Sequence, residues 1–267
     1  MDTTKQLFTI RHSFKLKTGD KNKWINSKRY KENSLDTPLH PNGLLNASLI
    51  GIELLSLHNN NIINLFDLIY IYSSPFTRCC QTAIEIIKII KKVLNHDIKL
   101  RLNSKLWEGA NLHKYFIFND DIAYSKKLNS VIIDGKLYTS ELDKKMSFKN
   151  LCKKYKKYID STYNKVKHIG IEKTEVSATR IIKCVNNLLK KEKLLICVGH
   201  ANLGYNCYNY YLNNKYPEKV KYLFNDDYKD TSKLTGYEIT INDKTKNVKS
   251  ELLYYPNNDF IIPNFNV

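Results

Sequence analysis

The sequence predicts an α/β fold with a mostly parallel central sheet, and three observations support it. Short β-branched, apolar runs alternate with longer stretches of helical period along most of the chain. Three of the short runs end in polar residues able to do chemistry, which is where open parallel sheets bind ligands. Neither an internal repeat nor a Pro/Gly/Ser-rich linker interrupts the pattern, so a single domain over residues 1–267, with a loop or subsidiary lobe inserted at about 109–147, is the simplest parse.

The elements follow in chain order. Leu7-Phe8-Thr9-Ile10 reads as the first strand, and the polar stretch from Lys15 to His40 as irregular. Pro41 to Leu57 has helical period, with Leu45, Leu49, Ile52 and Leu55 on one expected core face. Leu68 to Tyr72 is the second strand, meeting Ser73-Ser74-Pro75 just ahead of a helix over about Thr77 to Leu94. Ala83, Ile86, Ile87 and Ile90 share one face of that helix. Lys99 to Leu102 is a further strand, and residues 109–147 show neither period. From Phe148 a helix is expected, with Leu151, Tyr155 and Tyr158 inward, Ile159 at the edge, and Lys153, Lys154, Lys156 and Lys157 outward. Ser177 to Lys191 is a helix feeding the strand Leu194 to Val198. Asn202 to Leu212 reads as helical, and Gly236 to Ile241 and Ser250 to Tyr254 as closing strands.

The 267 residues carry 43 Lys+Arg against 26 Asp+Glu, a formal net charge of +17. Much of that charge is Lys dispersed among Asn, as in Lys21-Asn22-Lys23, so it is weak evidence for a nucleic-acid partner, which is not expected, while it predicts attraction of anionic substrates. With 42% hydrophobic residues the chain can bury a large core, so disorder throughout is excluded. Its apolar runs fall far short of the roughly 20 residues a membrane span requires. The opening Met1-Asp2-Thr3-Thr4-Lys5 has no apolar leader, so a soluble cytoplasmic protein is expected. The six cysteines form no C-x-x-C pair and read as buried free thiols; the histidines have no H-x-x-x-H or H-x-H spacing, so no metal site is expected.

The strand ends bring Arg11-His12, Ser73 to Arg78, and Gly199-His200. If these strands run parallel, two imidazoles and two guanidiniums converge on one crevice. Arg offers a planar donor fork matched to phosphate oxygens, and a neutral imidazole is a nucleophile that forms a phosphohistidine. The leaving oxygen then needs a proton, and Glu108, just beyond the Lys99 to Leu102 strand, is a candidate acid whose pKa a nearby phosphate would raise. Each feature also has a plainer reading. Ser73 or Ser74 caps a helix, His200 is a core histidine, and Glu108 is a loop carboxylate.

Taken together, Arg11-His12, Ser73-Ser74-Pro75-x-x-Arg78-x-x-Gln81-Thr82-Ala83, Leu106-x-Glu108 and Gly199-His200-Ala201 resemble the histidine phosphatase, or phosphoglycerate-mutase-like, superfamily over nearly the whole chain. Trp24, Tyr30, Asp36-Thr37-Pro38-Leu39-x-x-x-Gly43 and His200-Ala201-x-Leu203 resemble its eukaryotic suppressor-of-T-cell-receptor-signalling branch. The resemblance implies a three-layer α/β/α sandwich without an obligatory metal or cofactor, and a phosphomonoesterase working through phosphohistidine. It implies His12 as nucleophile, Arg11, Arg78 and His200 around the phosphate, and Glu108 as proton donor. Two departures stand out. The family has Gly after the nucleophile, and Ser13 there would be strained if φ were positive. It also often has Arg where Lys15 stands, which keeps the charge as an auxiliary phosphate contact but loses the fork.

The expected substrate is a phosphorylated small molecule or a phosphotyrosine-type ester. A mutase-type phosphotransferase and a weakly active or non-catalytic phospholigand-binding module remain alternatives. The oligomeric state stays open, with a homodimer among the options.

Overall fold

The computed structural model describes residues 4–16, 21–27, 36–107, 123–125, 130–133, 136–139, 153–163, 174–213, 236–242 and 248–254. The strands are β1 (Thr4–Arg11), β2 (Tyr70–Ser73), β3 (Lys99–Leu102), β4 (Ala123–Ser125), β5 (Ser130–Ile133), β6 (Lys136–Thr139), β7 (Leu194–Gly199), β8 (Gly236–Asn242) and β9 (Val248–Tyr254). The helices are α1 (Lys21–Ile25), α2 (Pro41–Asn59), α3 (Thr77–Leu94), α4 (Thr174–Leu189) and α5 (Ala201–Asn213).

One sheet has the order β3-β2-β7-β1-β8-β9, with the first four strands parallel and β8 and β9 added as an antiparallel hairpin on β1. The parallel strands are apolar on both faces, as a sheet covered by helices on each side requires. Along β1 and β7 successive side chains point to opposite layers. Phe8, Ile10, Leu194, Ile196 and Val198 pack with α2 and α3, while Leu7, Leu195 and Cys197 pack with α4 and α5. The architecture is the expected α/β sandwich.

Pairing is in register at the carboxyl ends: Arg11 lies beside Gly199, and Ser73 lies between Val198 and Leu102. His12, Ser74, Asn103 and His200 therefore leave the sheet at one common edge. Main-chain bonds carry the alignment one residue further, from His12 N–H to the Gly199 carbonyl (2.8 Å), Ser74 N–H to Val198 (2.9 Å) and Asn103 N–H to Ser73 (2.9 Å).

Several expectations need correction. On α2 the buried positions are Gly43, Ala47, Ile50, Gly51, Leu54 and Leu55, while Leu45 and Ile52 are exposed. The small residues form the inner stripe because α2 and α3 approach closely; a Cβ on Gly51 would lie 2.9 Å from the Ile89 Cβ. A hydrophobicity-weighted stripe overlooks glycine and alanine.

The stretch expected to be irregular holds α1 and a β-bridge between Lys15 and Leu39. The helix expected from Phe148 gives way to turns over 155–158. There Tyr158 accepts from Leu100 N–H (2.7 Å) and Asp160 N–H donates to the Leu100 carbonyl (2.9 Å), so the free edge of β3 takes the backbone instead. The tyrosine stripe survives without the helix: Tyr155 and Tyr158 pack on the core and the four lysines are exposed. Leu151 lies outside the described residues. Within 109–147, β4, β5 and β6 form a separate three-stranded antiparallel sheet.

Candidate active site

The site forms where β1, β2 and β7 end and α3 begins. His12 and His200 lie with ring centroids 5.4 Å apart at 75°. They are 4% and 1% exposed, and Arg78 beside them is 6% exposed, so the three groups meet almost without bulk water. Burial first, and then the Arg78 charge, hold both imidazoles well below their usual pKa near 6.5; the charges of Arg11 and Lys15 push the same way. Both rings are therefore neutral at pH 7.

The hydrogen bonds fix the tautomers. His12 Nδ1 lies 2.9 Å from the Ser13 carbonyl, which only accepts, so Nδ1 carries the proton and Nε2 keeps its lone pair. In His200, Nδ1 lies 3.2 Å from Arg78 Nη2, a group that only donates. Nδ1 is therefore the acceptor, and the proton sits on Nε2, facing Ser74 Oγ at 3.1 Å and Cys79 Sγ at 3.6 Å. His200 thus holds Arg78 from one side. The Phe76 ring holds it from the other, 4.4 Å from the guanidinium carbon and edge-on to His200 at 5.2 Å.

Arg78 is the second residue of α3, and the N-terminus of that helix is fixed by contacts distant in sequence. The N-cap position, Phe76, has no side-chain acceptor to offer. The buried Asp36 substitutes: its Oδ1 accepts from Thr77 N–H and its Oδ2 from Thr77 Oγ1, both at 2.7 Å. One turn on, Gln81 Oε1 accepts from Leu39 N–H (2.8 Å), and Thr82 Oγ1 accepts from Ser13 N–H (3.0 Å) while donating to the Arg78 carbonyl (2.9 Å). Thr82 therefore ties the peptide after His12 to the helix turn bearing Arg78.

The Ser13–Lys15 segment is held from its other flank. His40 N–H donates to the Phe14 carbonyl (2.9 Å), Leu16 N–H to Pro38 (2.9 Å), and the Phe14 ring lies edge-on to His40 at 5.5 Å. Gly43 is needed for this approach, since a Cβ there would lie 2.3 Å from the Phe14 carbonyl oxygen. Among the described residues the non-glycines with positive φ are Asn61 and Asn95, so Ser13 occupies ordinary backbone without strain.

A solved structure of the ecdysone phosphate phosphatase from Bombix mori in complex with tungstate is similar over 95% of this chain and 94% of its own, with 18% identity and a TM-score of 0.57. The fold is phosphoglycerate mutase-like. A phosphoglycerate mutase from Bacillus anthracis aligns over 94% of this chain and 93% of its own, at 17% identity and a TM-score of 0.48. A mycobacterial glucosyl-3-phosphoglycerate phosphatase aligns over 93% and 96%, at 14% identity and a TM-score of 0.44. No protein-family model matches the sequence, and no curated protein does.

On this phosphoglycerate mutase-like framework, His12, Arg78 and His200 come together, and the half-buried Arg11 and Lys15 lie close enough for their charges to act on both rings. Glu108 lies outside the described residues, as does Tyr30. Trp107, immediately before Glu108, is buried with its ring 5.6 Å from Phe76. Sequence reasoning offered Ser74 only as a helix cap, whereas the N-cap position is Phe76 and Ser74 Oγ faces His200, and it assigned no role to Phe76, Thr77, Thr82 or Asp36. Asp36 and Thr82 stood inside the motifs quoted for the resemblance, but what they bind is 41 and 69 residues away.

Proposed function

We propose that this protein is a phosphomonoesterase of the histidine acid phosphatase type, with His12 as the residue that is transiently phosphorylated. The observation that carries the reading is the pair of buried, neutral imidazoles beside Arg78, with His12 Nδ1 committed to the Ser13 carbonyl and Nε2 left as a nucleophile.

In the first step the Nε2 lone pair attacks phosphorus, the bond from phosphorus to the ester oxygen breaks, and Glu108 gives that oxygen its proton. Nδ1 keeps its proton and donates it to the Ser13 carbonyl, whose oxygen offsets the positive charge that grows on the ring. Arg11, Arg78 and Lys15 neutralise the equatorial oxygens. In the second step water attacks the phosphohistidine, Glu108 takes the water proton, and the N–P electron pair returns to Nε2. His200 keeps Arg78 aimed at the phosphoryl group. Because burial depresses the His12 pKa, the nucleophile stays unprotonated into mildly acidic solution, which supports the acid-phosphatase assignment.

The substrate is a phosphorylated small molecule or a phosphotyrosine-type ester. A small-molecule substrate is favoured by the likeness to an ecdysone phosphate phosphatase. The cytoplasm is the proposed compartment. Cys79, Cys80, Cys184, Cys197 and Cys207 are buried thiols outside any disulfide, which suits a reducing environment, and among the described residues no helix is long and apolar enough to cross a membrane.

A panel of aryl, sugar and tyrosine phosphates tests the reading. The expected result is hydrolysis by the intact protein, and loss by His12→Ala at an unchanged melting temperature. Undiminished hydrolysis by that variant would refute it.

A further inference from the structure

Position 76 breaks a local rule. It is the N-cap of α3, a place that favours Ser, Thr, Asp or Asn, and it carries Phe with no side-chain cap. Asp36 supports the helix start from a distance, through Thr77, which leaves position 76 open to a side chain of another kind. Local rules fail most often at functional sites.

The neighbours of the ring show what it holds. Phe76 is 5% exposed, and the Arg78 guanidinium carbon lies over its face, 4.4 Å from the centroid. His200 meets the ring edge-on at 5.2 Å, and Trp107 meets it tilted at 5.6 Å. Trp107 is itself braced. Its N–H donates to the Ser104 carbonyl (3.0 Å), while Arg180 on α4 donates from Nη1 to the Lys105 carbonyl (2.6 Å) and from Nη2 to the Trp107 carbonyl (3.1 Å). The ring therefore has a fixed backing.

A guanidinium is planar and its N–H donors lie in that plane, so an aromatic face attracts the cation without using any of them. Arg78 also donates from Nη2 to His200 Nδ1 at 3.2 Å. The ring thus sets the plane of the fork, and the imidazole sets its rotation within that plane. Arg78 is buried, and the attraction of a cation to a ring face is strongest where water is excluded. Leucine would fill much of the same space but has no negative face to offer.

We infer that Phe76 is a positioning residue for phosphate recognition: its ring face holds the Arg78 guanidinium in the orientation that presents the donor fork to the bound anion. The inference rests on the reading of Arg78 as a phosphate ligand.

The test measures binding of inorganic phosphate to the full chain by calorimetry. Phe76 is replaced with mono-, di- and trifluorinated phenylalanine, which keep the shape of the ring and drain charge from its face. The dissociation constant should rise with each fluorine, by about 5- to 30-fold across the series, and Phe76→Leu should match the last member. The fluorinated rings carry the test alone if the leucine variant does not fold. kcat/KM for phenyl phosphate should fall in step. The melting temperature should fall with fluorine count in the otherwise intact protein and stay level in Arg78→Met, which ties the effect to the guanidinium and separates it from His200 and Trp107. Arg78→Met by itself should weaken phosphate binding about 10-fold or more.

Unchanged phosphate binding by Arg78→Met would remove Arg78 from the phosphate pocket, and the Phe76 role with it. Weakened binding by Arg78→Met beside a flat fluorine series would overturn the Phe76 role alone, as would melting temperatures that slope equally in the two backgrounds. A graded series that depends on Arg78 supports both.

Discussion

Replacing Asp36 with alanine tests how firmly the start of α3, which carries Arg78, depends on a contact 41 residues away in sequence. The carboxylate accepts two hydrogen bonds at 2.7 Å from one residue, Thr77, at the first turn of α3. Both partners are buried, so alanine leaves the Thr77 N–H and hydroxyl without a replacement from bulk water. Loss of a helix cap costs about 1–2 kcal/mol, and loss of the second buried hydrogen bond to the carboxylate adds about 1–2 kcal/mol more.

The sum, about 2–4 kcal/mol, corresponds to a fall in melting temperature of roughly 4–7 °C for a chain of this size. Thermal and urea melts of Asp36→Ala, Thr77→Val and the double variant measure it. The two single losses should not add, because either change removes the hydroxyl bond. Since Arg78 directly follows Thr77, inorganic phosphate should also protect Asp36→Ala from melting less than it protects the intact protein. A loss below about 0.5 kcal/mol, or full additivity of the two changes, would refute the cap and its link to Arg78.

Two further predictions concern the same region. Both imidazoles titrate lower in the folded than in the unfolded chain, so below about pH 6.5 the unfolded state binds more protons and stability falls as the pH falls. Urea melts between pH 7.5 and 5.5 should show a decline of up to about 1.4 kcal/mol per pH unit for each histidine, with a shallower slope in the His12→Gln, His200→Gln double variant. A flat profile, or equal slopes in the two proteins, would contradict the burial of neutral rings. Gly43→Ala places a Cβ 2.3 Å from the Phe14 carbonyl oxygen, a main-chain atom that must shift. The expected cost is about 1–3 kcal/mol together with reduced kcat/KM. An alanine variant as stable and active as the intact protein would show that the Ser13–Lys15 segment is not held as described.

The parts of the fold legible in the sequence are those set by local pattern. The apolar runs ending in Arg11-His12, Ser73-Ser74 and Gly199-His200 announce parallel strands with chemistry at one edge, and the structure brings those ends into register. The Ala83, Ile86, Ile87, Ile90 stripe is buried as its spacing requires. What stayed hidden depends on distance in sequence or on the absence of a side chain. The inner face of α2 is built around Gly43, Ala47 and Gly51, which carry almost no hydrophobic signal. Tyr155 and Tyr158 keep helical spacing in a segment whose backbone is claimed by the β3 edge. Asp36 looks like one more polar loop residue until α3 is placed against it, and Arg180 like a solvated helix residue until the turn at Lys105 to Trp107 is seen beneath it. The likeness to one eukaryotic branch rests on sequence motifs, of which Tyr30 lies outside the described residues.

Trapping the covalent intermediate tests directly whether His12 is phosphorylated. The protein is mixed with an aryl ester carrying radiolabelled phosphate, quenched in alkali and digested, and the label is located. Alkali-stable, acid-labile label is expected on the short peptide that follows Arg11 and ends at Lys15, and none in His12→Ala. Turnover without such label, or label on His200 in place of His12, would contradict it.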